Sequence, residues 1–253
     1  MGYFAGVLLT GPSRRSATLN RSVRLFRAFL TEQRDPDRFY SVLAADSVGQ
    51  LSEYAELHGA VVLDVGAGPG YFRAAFVEAG ARYVSVDHDL GELGARGAVE
   101  PGSVVGCATA LPFGDGVVDV CYSSNVLEHV RQPWAMADEM LRVTRPGGVV
   151  YLSFTVWWSP WGGHETAPWH YFGGERAARR YERRTGRPPK NRYGQSLFPV
   201  TVAEAMRWVR SSPRGELVAA FPRYHPRWAA GVTRVPLVRE ALTWNLAVVM
   251  RRR

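Results

Sequence analysis

Between Val61 and Thr155 the chain keeps one rhythm: a short apolar run, a turn, then a helical stretch. The apolar runs are Val61–Val65, Tyr83–Val86, Val104–Cys107, Val117–Tyr122 and Val149–Thr155, and Tyr71–Ala79 and Pro133–Val143 have helical spacing between them. Valine-rich runs this short suit strands covered on both sides. Parallel neighbours need long crossovers, and helices fill them. The rhythm predicts an α/β fold, a doubly wound and mostly parallel sheet with helices on both faces. Leu217–Phe221 and Leu242–Met250 read as two late strands, which makes seven.

The flanks break the rhythm. Leu19, Val23, Phe26 and Leu30 recur at helical spacing in Leu19–Thr31. Asp35-Pro36-Asp37 then interrupts the chain and starts a second helix over about Asp37–Leu57. Residues 1–58 thus read as a helical extension or lid, and 59–253 as one domain with an insertion over about 156–200. The insertion opens with Trp157–Gly174, read as a long loop rich in aromatic residues, glycine and histidine. A basic helix follows at Glu175–Thr185, stopped by Gly186 and Pro188-Pro189. Thr201–Val209 reads as a further helix, with Thr201 as its N-cap and Glu204 completing a capping box.

Composition narrows the class. The chain has 253 residues, 46% hydrophobic and 21% charged, which excludes a disordered chain, a fibre or a coiled coil. The longest nearly uncharged apolar run, Val149–Trp158, is about half of what a helix needs to cross a bilayer. The first sixteen residues carry no basic stretch ahead of their short apolar run, so a secretory leader is not expected. Cys107 and Cys121 read as buried free thiols of a reducing cytoplasm, and no metal set can be built from them. The net charge of +8 is concentrated. Between Tyr171 and Arg192 eight basic residues face only Glu175 and Glu182, so the rest of the chain is nearly neutral. That is not the general basic coat of a nucleic-acid binder.

The chemistry-bearing motif is Val62–Phe72, VLDVGAGPGYF. An apolar strand containing Asp64 runs into Gly66, Gly68 and Gly70, and a helix follows. Glycines let the backbone turn sharply and approach a ligand closely, next to the unpaired N–H groups of a helix start. A dinucleotide fingerprint would place its third glycine where Tyr71 stands, and a P-loop would need a lysine that is absent. A nicotinamide oxidoreductase is therefore disfavoured.

Over Val61–Phe154 the sequence resembles the class I S-adenosylmethionine-dependent methyltransferases, in particular those acting on small molecules. Four blocks carry the resemblance: Leu63–Gly70; Val84–Asp87; Ala108–Phe113 with the following Asp115–Val120; and Ser123–Val130, then Met140–Gly148. The resemblance implies S-adenosylmethionine as cofactor, S-adenosylhomocysteine as product, and a Rossmann-like sheet. It implies that Gly66, Gly68 and Gly70 pass under the methionine portion. Asp64 would reach the ammonium group or brace the glycine loop. Asp87 would accept from the ribose hydroxyls, with His88 flanking the adenine. Ala108 would offer backbone groups at the adenine edge, with Leu111 packed nearby, and Ser123 and Ser124 would present a carbonyl to the amine. An aspartate common in the family is replaced here by Cys107.

The family places the acceptor at the carboxyl ends of the fourth and fifth strands. Removing a proton from a hydroxyl acceptor calls for a base, and histidine is the usual one. His164, His129 and His170, with Glu165 between the two loop histidines, are the catalytic candidates. Glu128 and Asn125 could orient an acceptor or a histidine, and Tyr40 could close over the cofactor. His225 and His58 read as structural or solvated. The expected function is methyl transfer to a hydroxyl of a small-molecule, glycan or lipid-linked acceptor. The alternatives are an RNA methyltransferase using the Arg-rich insertion, and a non-catalytic protein that binds S-adenosylmethionine. Nucleic acid is the weaker partner, because Ser123-Ser124-Asn125-Val126 stands where amine-methylating enzymes carry a Pro-Pro block. Aromatic and arginine residues interleave in Phe221–Trp244, which suggests docking on the anionic inner membrane face.

Overall fold

A computed structural model describes residues 17–32 and 34–253. The reading of the amino terminus as lacking a leader lies outside the described residues. Seven strands form one sheet in the order β3-β2-β1-β4-β5-β7-β6. They are β1 (Val61–Val65), β2 (Arg82–Asp87), β3 (Ser103–Val105), β4 (Val118–Ser124), β5 (Thr144–Thr155), β6 (Gly215–Pro222) and β7 (Asn245–Arg252). Only β7 runs antiparallel to its neighbours, pairing Val150 with Met250 and Ala220 with Val248. Since β5 and β6 both oppose β7, the exits of β4, β5 and β6 share one end of the sheet.

The period-two alternation of each strand feeds two cores. Leu63 and Val65 of β1 and Val150 and Leu152 of β5 pack against α5 (Pro133–Val143) and α7 (Val202–Ser211). Burial of Met136, Met140 and Leu141 on α5 contributes about 2 kcal/mol each. Val62, Tyr122 and Tyr151 belong to the opposite core, with α1 (Leu19–Phe29), α2 (Pro36–Leu51) and Phe76 of α3 (Arg73–Glu78). The amino-terminal helices therefore share a core with the sheet. Arg21 of α1 is buried against Asp46 of α2, Nε to Oδ1 at 2.6 Å, and its Nη2 donates to the Arg223 carbonyl at 2.8 Å. The capping box of α7 is present, and the Glu240 carboxylate also accepts from the Val202 and Ala203 amides.

Several expectations need correcting. The second helix starts at Pro36 with Asp35 as its cap and stops at Leu51, six residues early. The last strand starts at Asn245, because Leu242 closes a short helix, α8 (Val238–Leu242). Sequence periodicity also missed the single-turn α4 (Leu90–Leu93), too short to show a face. The loop after β5 holds two 3₁₀ turns, His164–Thr166 and Trp169–Phe172, ahead of α6 (Gly174–Thr185). Cys107 is exposed past the end of β3, held by a 3.1 Å contact with Thr109 Oγ1; only Cys121 is buried.

Candidate active site

Strand order reverses between β1 and β4, and ligands of such sheets sit outside the strand ends at that crevice. The glycine turn of Gly66–Gly70 lies there. Gly66 has φ +76°, and a Cβ on it would lie 2.5 Å from Val126 Cγ1, so no side chain fits between the turn and the β4 exit. Gly68 (φ +51°) and Gly70 (φ +76°) are also left-handed, and nothing lies within 4 Å of a Cβ built on either. The turn thus closes on Val126 at one end and leaves a shallow cradle at the other.

Asp87 ends β2 beside this cradle. Its Oδ2 accepts from the Gly68 amide at 2.9 Å and its Oδ1 from the Asp89 amide at 3.2 Å. A carboxylate offers about four acceptor sites, so capacity remains for ligand hydroxyls. The His88 ring is 82% exposed, with Nδ1 3.1 Å from Asp87 Oδ1. Ala108 is half-buried, and Leu111 is buried with its amide donated to Glu139 Oε2 at 2.8 Å. Arg142 bonds Glu139, Asp115 and the carbonyls of Leu111 and Phe113, fixing this loop. The open cradle and the acid beside it fit S-adenosylmethionine, with Gly68, Gly70, Asp87 and the Ala108 segment as the residues that would hold it.

Asp64 and the two serines are engaged internally. Asp64 is 2% exposed and accepts from the Tyr83 hydroxyl at 2.5 Å. Burial pushes its carboxyl up to about 7, against the lowering effect of that bond. This contact ties β1 to β2. Ser123 Oγ donates to the Val65 carbonyl at 2.8 Å, tying β4 to the β1 exit. Ser124 Oγ accepts from Arg223 Nη1 at 2.7 Å.

The exits of β4 and β5 bring together two of the four catalytic candidates. His129 and His164 meet edge to face with ring centroids 5.1 Å apart, and Glu128 stands beside them. One ligand-type atom from each of the three lies within 4.8 Å of the other two. Glu128 lies two residues after Val126 in the turn after β4 and is 1% exposed. Its Oε1 accepts from the Thr155 amide at 2.9 Å, while Oε2 has no partner. His129 Nδ1 lies 2.7 Å from the Ser196 carbonyl. A carbonyl only accepts, so Nδ1 carries a proton, and in the neutral ring Nε2 keeps the lone pair. His164 is left-handed at φ +48°, and its buried Nε2 has no partner. Burial pulls the His164 imidazole down to about 4, so it is neutral at neutral pH.

Glu165 and His170 are placed elsewhere. Glu165 is exposed and accepts from the Asn191 side chain at 3.2 Å, so the carboxylate beside His164 is Glu128. His170 is 1% exposed between Trp157 and Tyr171, and its Nε2 donates to the Ser159 carbonyl at 3.2 Å. Tyr40 stacks on Tyr71 at 4.3 Å and 12°, which brings α2 over the start of the glycine-turn helix.

Sequence reasoning missed Arg223. It is fully buried past the exit of β6 and donates to Ser124 Oγ and Ser153 Oγ, both at 2.7 Å, and to Ser47 Oγ at 2.6 Å. One guanidinium thus ties α2 to the exits of β4 and β5. Nothing in its sequence context distinguishes it from the surface arginines around it. Nearby, Asn125 at φ +57° accepts from the Asn245 side chain at 2.7 Å.

Comparison with known proteins agrees with this geometry. Residues 63–152 match a family model described as a methyltransferase domain. A Mycolicibacterium gilvum protein named as a methyltransferase is 56% identical, over 93% of this chain and 95% of its own length. A Mycobacterium tuberculosis protein with the same name is 51% identical, over 93% and 96%. Among solved structures, an S-adenosylmethionine-dependent methyltransferase from Mesorhizobium loti superposes with a TM-score of 0.56 at 19% identity, over 82% of this chain and 98% of that one. The [4+2]-cyclase SpnF shares the fold at a TM-score of 0.50 and 15% identity, so the fold by itself does not name a reaction. The relatives above half identity across nearly their whole length do name one: the chain belongs to the methyltransferases, an enzyme family built here on the class I S-adenosylmethionine-dependent fold.

Proposed function

We propose that this methyltransferase transfers the methyl group to a hydroxyl of a small-molecule, glycan or lipid-linked acceptor. The observation that carries the reading is the group of Glu128, His129 and His164 at the exits of β4 and β5. S-adenosylmethionine supplies a methyl on a sulfonium centre that departs as a neutral thioether. The glycine turn and Asp87 orient it, and position and orientation supply much of the rate in such a displacement. The acceptor oxygen needs a site that favours loss of its proton. The Nε2 lone pair of His129 and the unpartnered Nε2 of His164 provide acceptors there, with the Glu128 carboxylate behind them. Amine acceptors place less demand on such a group.

The surface around this end supports an amphipathic acceptor. Trp228 is 80% exposed and Leu237 86%, on the segment joining β6 to β7, with Arg227 adjacent. Phe172 is 69% exposed on the loop after β5, and Arg180 lies over the Trp169 ring at 3.8 Å. Both segments leave the sheet at the cofactor end. Aromatic rings among arginines suit the headgroup layer of an anionic membrane. Among the described residues no helix is long and apolar enough to cross a membrane. The RNA reading draws less support, because Arg192 is paired with Glu175 and Glu182 within the basic segment.

His164→Ala tests the reading. Turnover at saturating acceptor should fall by about 10²–10⁴, with S-adenosylhomocysteine affinity nearly unchanged. A loss under about fivefold would remove this group from the reaction.

A further inference from the structure

We propose that Glu128, His129 and His164 form a binding site for a divalent transition-metal cation, of the zinc, iron or cobalt type. The inference rests on the placement of that group at the acceptor end and deepens the reading above. A two-histidine, one-carboxylate donor set suits such metals and leaves positions open for another ligand. It does not suit magnesium or calcium, which take oxygen donors.

The arrangement has the features of a built site. The three donor atoms lie within 4.8 Å of one another. Bonds of about 2.1 Å in tetrahedral geometry would bring them to about 3.4 Å. Two buried polar atoms, Glu128 Oε2 and His164 Nε2, have no partner. Native proteins leave few such atoms unpaired, and an ion is one of the things that satisfies them. The supporting bonds are of the kind metal ligands use. His129 gives its Nδ1 proton to the Ser196 carbonyl, which fixes the tautomer with Nε2 free. Glu128 is held twice, through Oε1 by the Thr155 amide and through its carbonyl by the Phe198 amide at 2.7 Å. His164 reaches the group from a left-handed backbone, a conformation that costs a non-glycine residue energy and that its surroundings hold in place.

The consequence for the reaction is direct. With the cation bound, the two imidazoles would act as ligands in place of proton acceptors: the acceptor oxygen would take the open position, the pKa of its hydroxyl would fall, and the proton would leave to water. The oxygen–methyl bond then forms as the carbon–sulfur bond breaks, and the electron pair of that bond stays on sulfur.

Binding of cobalt(II) and zinc(II) to the full chain, stripped with chelator and dialysed, tests the site without any acceptor. Cobalt(II) should bind one equivalent and develop the visible absorption of a low-coordinate complex, and zinc(II) should displace it. Glu128→Gln and His164→Ala should each weaken zinc(II) at least about tenfold in calorimetry. S-adenosylhomocysteine binding in each variant reports that the fold is intact, and His129→Gln serves where a variant is not folded. No stoichiometric uptake by the wild-type chain, or equal affinity in folded variants, would overturn the proposal. The failure modes separate: a chain that binds no cation yet loses turnover in His164→Ala keeps the hydroxyl reading and loses the metal.

Discussion

Asp87→Ala gives the most quantitative test of the cofactor site. The side chain holds the glycine turn through the Gly68 amide at 2.9 Å and stands beside the only part of the turn with open space above it. A hydrogen bond to a charged group is worth about 1.5–3 kcal/mol. Loss of the carboxylate removes one such bond to the turn and the acceptors offered to ligand hydroxyls. The smallest expected effect is one bond's worth, about 1.5 kcal/mol, or slightly more than tenfold in the Kd of S-adenosylhomocysteine. Asp87→Asn keeps one acceptor oxygen without the charge and should fall between wild type and alanine. Gly68→Val puts a branched side chain on a left-handed residue and into the cradle, and should cost at least about tenfold by a different route. Calorimetry reads the affinities and thermal denaturation checks the fold. A folded Asp87→Ala chain with wild-type affinity would refute the assignment.

Two further outcomes follow from charge. Asp64 keeps its proton to about 7 when folded but ionises near 3.8 when unfolded, so its contribution to stability falls as pH rises through that window. His164 works in the opposite sense: its contribution is full above about 6.5 and is lost as pH falls toward about 4. Asp64→Asn removes the first effect, so between pH 5 and pH 7 the variant should gain about 2 kcal/mol over wild type in urea denaturation; parallel pH profiles would contradict this. The second outcome concerns the exposed Trp228 and Leu237 surface: the chain should float with anionic vesicles at low salt and not with neutral ones. A chain that stays at the bottom of the gradient with both would point to a water-soluble acceptor.

The sheet was legible in the sequence because its strands carry short apolar runs at a regular cadence, and because β1 runs into Gly66 and β2 ends at Asp87 the same pattern locates the turn and the acid. The crossover helices α5 and α7 were legible from their apolar spacing and, for α7, from Thr201 and Glu204. The acceptor end was less legible. His129 and His164 stand 35 positions apart, and no local pattern shows that the β5 loop folds back over the turn after β4. The sequence order places Glu165 next to His164, whereas in the fold the enclosed Glu128 stands beside that histidine and Glu165 lies on the surface with Asn191. Arg223 illustrates the same limit. A cation in an arginine-rich segment reads as a solvated face, whereas its four hydroxyl partners on Ser47, Ser124, Ser153 and Tyr122 come from three distant elements.

The most direct test is to incubate the chain with S-adenosylmethionine carrying an isotope-labelled methyl group and an extract of its own cells, and to follow the label by mass spectrometry. A labelled product with the methyl on oxygen, lost with Asp87→Ala and strongly reduced with His164→Ala, is the predicted result. Transfer to nitrogen or carbon, or no labelled product from a chain that binds S-adenosylhomocysteine, would contradict hydroxyl methylation.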